Sequence, residues 1–158
     1  LLMRHNTGFV SLQETKRMKV NIKIHWIFKC ILTAAYAGII YWESSQDTSS
    51  ISLSHNTDKL VHFAVFGLLC LMTCWSLSHV RIGDRAIYKI ILAIVITSLY
   101  GMSDEFNQYF TPNRSVEIFD WLADTAGAVT AGLLWQVTTH KRQIKKKLLA
   151  MKKTQINM

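Results

Sequence analysis

Four apolar segments dominate the chain and constrain its fold more than any other feature. On a window of about nineteen residues, enough helix to cross about 30 Å of hydrocarbon, they run from about Trp26 to Trp42, Leu60 to Val80, Ala86 to Ser103 and Val116 to Val137. Each is too long for a buried strand and reads as a helix. A soluble α-bundle is the competing reading, because a buried core helix can also be apolar all round. Four such segments in 158 residues leave almost no amphipathic helix to solvate a globule, and only 18% of residues are charged, against about a quarter in soluble domains. The expected fold is all-α: a polytopic membrane protein built as a bundle of four transmembrane helices. One proline, scattered glycines and no internal repeat argue for a single membrane domain.

Charge placement orients the segments. Lys and Arg total 18, and 14 of them fall in three places: Arg4, Lys16, Arg17, Lys19 and Lys23 before the first segment, Arg81 and Arg85 between the second and third, and Lys141, Arg142, Lys145, Lys146, Lys147, Lys152 and Lys153 after the fourth. These places share one side if the helices cross in alternation. By the positive-inside rule that side is cytoplasmic, which puts both termini inside and the links 43–59 and 104–115 outside. Of the ten acids only Glu14 and Asp84 fall on the inner side. The expected organisation is a basic cytoplasmic segment over 1–24, a membrane domain over 25–137 and a basic cytoplasmic tail over 138–158, in a multi-pass protein of the cell membrane. Trp26, Trp42, Trp121 and Trp135 stand near segment ends, as indoles do at membrane interfaces.

The net charge of +8 is therefore a juxtamembrane feature facing anionic lipid, and no nucleic-acid partner is expected. Met18 opens a stretch with a basic start, an apolar core and Ala35-Tyr36-Ala37, which could pass for a signal-peptidase site. The apolar run continues through Trp42, so retention is expected. Residues 1–17 read as a disordered extension. Cys30, Cys70 and Cys74 lie inside the segments without metal spacing and read as packing residues. No nucleophile elbow, phosphate loop or dinucleotide fingerprint is present.

The chemistry then rests on acids at the outer ends. Asp58 and His62 stand four apart and share a helix face, with Lys59 pointing elsewhere. Asp104 and Gln108 repeat that spacing with Glu105 beside them, and Asp120 and Asp124 repeat it again, with Gly127 and Ala131 continuing down the same side. Three helices can thus present polar pairs at one membrane level. From an entry near Val116, Asp124 would lie about 12 Å deep at 1.5 Å per residue. A charge exposed to lipid there costs at least about 2.5 to 3.5 kcal/mol, which makes a functional site the default reading and interhelical bonding the structural one. Asp58, Asp104, Glu105, Asp120 and Asp124 outnumber Lys59 and Arg114, so the cluster needs protons, water or an outside cation. Hard divalent ions or zinc would suit these oxygens and one imidazole, although acid pairs on helices also occur without metal. Arg114, in "TPNRS" after Pro112 and a turn-forming Asn113, offers a planar fork to Asp120 or Asp104, or to a ligand phosphate.

The motifs "DKLVHF", "SDEFNQYFTPNRS" and "DWLADTAGAVTAG", each at the corresponding helix end, closely resemble the VanZ-like family of small membrane proteins over roughly Asp58 to Leu134. The matching positions are Asp58, Lys59, His62, Asp104, Glu105, Gln108, Pro112, Arg114, Asp120, Asp124 and Gly127. The resemblance implies a cell-envelope protein, and the founding member is associated with low-level resistance to the lipid-tailed glycopeptide teicoplanin. Three positions depart from the common pattern: Phe66 where tyrosine is frequent, Asn107 where histidine is often seen, and Asn113 in place of glycine.

Three classes of function follow. The first is a protein that binds or modulates a lipid-linked or anionic envelope component, membrane lipid or precursor, through Asp58, Lys59, His62, Asp104, Glu105, Gln108, Arg114, Asp120 and Asp124. The second is an intramembrane enzyme using His62, Glu105 or Asp124 in acid–base chemistry, with a divalent cation as the candidate cofactor. The third is a scaffold whose polar groups lock helices that approach closely at Gly127-x-x-x-Ala131 and Ala128-x-x-x-Gly132.

Overall fold

A computed structural model describes residues 6–46, 55–80, 85–112 and 114–156. They form four helices: α1 (Asn6–Ser44), α2 (His55–Leu77), α3 (Ala86–Tyr109) and α4 (Ile118–Ile156). Three contain stretches long and apolar enough to cross a membrane, at Ile24–Ser44, Thr57–Leu77 and Ala86–Tyr109. The bundle is inside-out relative to a soluble one. Ile27, Phe28, Ile31, Ile91, Leu99, Leu133 and Leu134 are exposed, as an apolar solvent requires.

Helix ends depart from the expected ones in an informative way. Residues 6–17, for which disorder was expected, continue α1; no proline or glycine stands between Gly8 and Gly38 to interrupt the helix. At its far end α4 likewise runs on to Ile156 through the basic tail. More consequential is α3, which does not stop near Ser103. Its buried residues Ile90, Ala93, Thr97, Gly101, Asp104 and Gln108 recur every three or four positions, so the stripe that packs the apolar core continues into the acids and carries them inside the bundle. Asn113 and its expected turn lie outside the described residues.

α2, α3 and α4 form the core trio, with α2 against α4 the most extensive contact, while α1 leans on α2 and α3 and has no contact with α4 among the described residues. Cys70, Cys74, Ile90, Ala93, Ala128 and Ala131 make the trio's apolar centre, with the two cysteines packed as small apolar groups. Gly127 sets the spacing. A Cβ there would overlap the carbonyl oxygen of Phe63 on α2, so only glycine lets the two backbones meet. Tyr36, Tyr100 and Thr33 then tie α1 down, donating to the carbonyl oxygens of Val65 (3.3 Å), Ala37 (2.6 Å) and Met72 (3.3 Å) respectively. Trp26 and Trp42 are exposed as interface indoles would be, but Trp121 and Trp135 turn inward. Trp121 donates to the Ser98 carbonyl at 3.1 Å, and Trp135 packs on the apolar centre.

Candidate functional site

The chain alternates direction, so the end of α1, the start of α2, the end of α3 and the start of α4 gather at one end of the bundle. The three spaced polar pairs meet there. Asp104, Glu105, Gln108, Asp120 and Asp124 are all buried, Asp124 completely. Since α4 begins at Ile118, Asp124 lies six residues into the helix, about 9 Å along its axis, shallower than an entry at Val116 would give.

Two layers divide the cluster. In the outer one Lys59 bridges Asp120 at 2.7 Å and Glu117 at 2.9 Å. This corrects the expectation that Lys59 points elsewhere, because close α2–α4 packing brings the start of α4 within reach of the lysine stem. It also adds Glu117, which the charge tally had omitted. The signal for Glu117 was present, three residues before Asp120, but it precedes the helix and falls outside helical spacing rules. In the inner layer His62 Nδ1 lies 2.9 Å from Asp124 Oδ1, and Glu105 Oε2 accepts the backbone N–H of Glu117 at 3.0 Å, a carboxylate set at the positive start of α4. Gln108 donates to Asp104 Oδ2 at 3.3 Å. Gly101 makes room for this layer, since a Cβ there would lie 2.7 Å from Asp124 Oδ2.

Arg114 pairs with neither Asp120 nor Asp104. It donates through Nη2 to the Glu43 carbonyl at 3.2 Å and through Nε to the Gln46 carbonyl at 3.4 Å. The last turn of α1 carries no basic residue, so an arginine from the α3–α4 link supplies the cation that a helix C-terminus favours. Asn107 strengthens the same junction, donating to Ser45 Oγ at 2.8 Å.

Beside the acids, a cavity of about 350 Å³ opens between α1, α2 and α3. Tyr36, Ile39, Ile40, Val61, Val65 and Phe66 form its apolar walls, and Glu43, Ser44, Asp58, His62, Asp104, Gln108 and Arg114 its polar end. Phe66 stacks nearly parallel to His62, with ring centroids 6.2 Å apart, and lines the cavity. Lys59, Glu105, Asp120 and Asp124 lie outside the lining. His62 lines the cavity and also contacts Asp124, linking the two.

These features define a helical membrane protein whose polar residues are concentrated in a buried nest and an adjoining amphiphilic cavity. Over residues 2–139 the chain matches the VanZ/LLP1 family model, and it belongs to that family. An uncharacterised protein of Schizosaccharomyces pombe is 36% identical over 90 residues, 56% of this chain and 52% of that protein. The chain thus spans about half the length of this relative. No solved structure matches it.

Proposed function

We propose that the protein holds a lipid-linked cell-envelope component in the cavity between α1, α2 and α3, its tail along the apolar walls and its polar head against Asp58, His62, Asp104 and Gln108. The observation that carries this reading is the cavity itself: about 350 Å³ of space with one apolar and one acidic end, a shape and polarity that match an amphiphile. Carboxylates and the Gln108 carbonyl accept hydrogen bonds, so a head rich in hydroxyl or amine donors is favoured. Arg114 contributes mainly by fixing the rim. In this reading α4 is a fourth span, the termini are cytoplasmic and the cavity opens outward, in keeping with the segregated basic residues.

Tolerance to lipid-tailed glycopeptides is the expected consequence in a susceptible host. Val65→Trp would fill the cavity, whereas Val95→Trp adds the same bulk on an exposed face of α3 outside the lining. At matched membrane levels the first should abolish tolerance to a teicoplanin-like drug and the second preserve it. Equal tolerance in both would remove the cavity from the function. The His62–Asp124 contact favours a second reading, an acid–base enzyme in which a carboxylate orients the imidazole. Turnover of an isolated envelope lipid, lost in Asp124→Asn, would select it.

A further inference from the structure

The inner layer holds more negative charge than the chain neutralises. Lys59 is committed to Asp120 and Glu117, and Arg114 to two backbone carbonyls. Among the described residues the only cation-forming side chain in contact with an inner carboxylate is His62, on Asp124. Each inner carboxylate has one oxygen fixed and one open. Asp124 Oδ2, Glu105 Oε1 and Asp104 Oδ1 are buried without a hydrogen-bond partner, although Asp124 and Glu105 are 0% and 6% exposed. Buried open oxygens of this kind are rare in native proteins and call for a proton, a water or an ion.

The geometry admits an ion. His62, Glu105 and Asp124 come from three different helices, and one donor atom of each lies within 4.8 Å of the other two. We propose that these three side chains form a divalent-cation site of Mn²⁺ or Zn²⁺ character at the head of the bundle. One imidazole nitrogen with carboxylate oxygens suits those ions, whereas thiolate-preferring Cu(I) finds no sulfur here. The backbone N–H of Glu117 holds Glu105 Oε2, which orients that carboxylate as outer-shell partners do at metal sites. Gly101 gives Asp124 the space it occupies. The site shares only His62 with the cavity lining; Glu105 and Asp124 lie outside it.

The test uses the full chain in detergent, stripped with chelator, free of added lipid and titrated with Mn²⁺ while free Mn²⁺ is read by electron paramagnetic resonance. The expected result is one Mn²⁺ per chain, displaced by Zn²⁺, which binds such sites more tightly. The bound ion should show a histidine nitrogen coupling in its spin-echo spectrum. Asp124→Asn and Glu105→Gln should each weaken binding by about tenfold or more, and His62→Gln should remove the coupling. His62 also stands near Asp58 and Asp120. Binding that survives Asp124→Asn and Glu105→Gln but is lost in Asp58→Asn or Asp120→Asn would overturn the assignment. So would a folded wild-type chain that retains neither ion, or one whose bound Mn²⁺ lacks the nitrogen coupling. The last two readings need no variant to fold, and a negative metal result leaves lipid retention by the cavity to be judged separately.

Discussion

Replacing Gly127 by alanine puts the α2–α4 interface under direct test. The added methyl would overlap the Phe63 carbonyl oxygen, and because both partners are helix backbone neither can swing aside. At Gly67 the same methyl would sit 3.3 Å from the Gly127 carbonyl oxygen, and at Gly38 it would meet nothing within 4 Å. Alanine is the better helix former by about 1 kcal/mol, so Gly38→Ala should stabilise the chain by up to that amount. Overpacking a tight contact costs about 1 to 3 kcal/mol. Taking the upper end for a backbone clash and subtracting the helix gain leaves Gly127→Ala destabilised by about 2 kcal/mol, with Gly67→Ala between the two. For a chain of this size that is about 4 to 8 °C in thermal midpoint. Fluorescence-detected size exclusion after heating in detergent would rank the three variants. A Gly127→Ala chain as stable as Gly38→Ala would refute the close approach that brings Lys59 to Asp120.

The remaining predictions concern orientation and the outer layer. Cysteine at Ser115 should react with an impermeant maleimide in intact cells and cysteine at Lys146 only after lysis; the reverse pattern would reject outward-facing acids. Arg114→Lys keeps the charge but loses the two-pronged donation, so at about 0.5 to 1.5 kcal/mol per bond the last turn of α1 should exchange amide hydrogens faster, and unchanged exchange at residues 43–46 would dismiss the junction. Lys59→Met leaves a buried Asp120 without its cation and should lower stability more than Glu117→Gln, whose carboxylate is partly exposed. Equal losses in a thermal assay would count against the buried partner.

Much of this arrangement is legible in the sequence, for a physical reason. Hydrophobic length locates the helices, and a four-residue step keeps Asp58 with His62 and Asp120 with Asp124 on one face each, whatever packs against them. Contacts between helices follow different rules. Whether Lys59 reaches α4 depends on how closely Gly127 lets α2 approach, and an i,i+4 argument within α2 carries no such information. Arg114 had a readable clue, the absence of a basic residue in the last turn of α1, but pairing it with acids looked only at side chains and overlooked carbonyls. The cavity left the least trace. Ile40, Val65 and Phe66 are apolar residues on apolar helices, indistinguishable in sequence from those facing lipid, and only the outward placement of α1 turns them into walls.

The central claim is that the cavity between α1, α2 and α3 holds an amphiphile. Native mass spectrometry of the intact chain released from mildly solubilised membranes tests it most directly. One lipid-linked molecule per wild-type chain is expected, retained by Val95→Trp and lost from Val65→Trp at equal folded yield. A wild-type chain that carries nothing, or the same lipid retained by all three proteins, would contradict it.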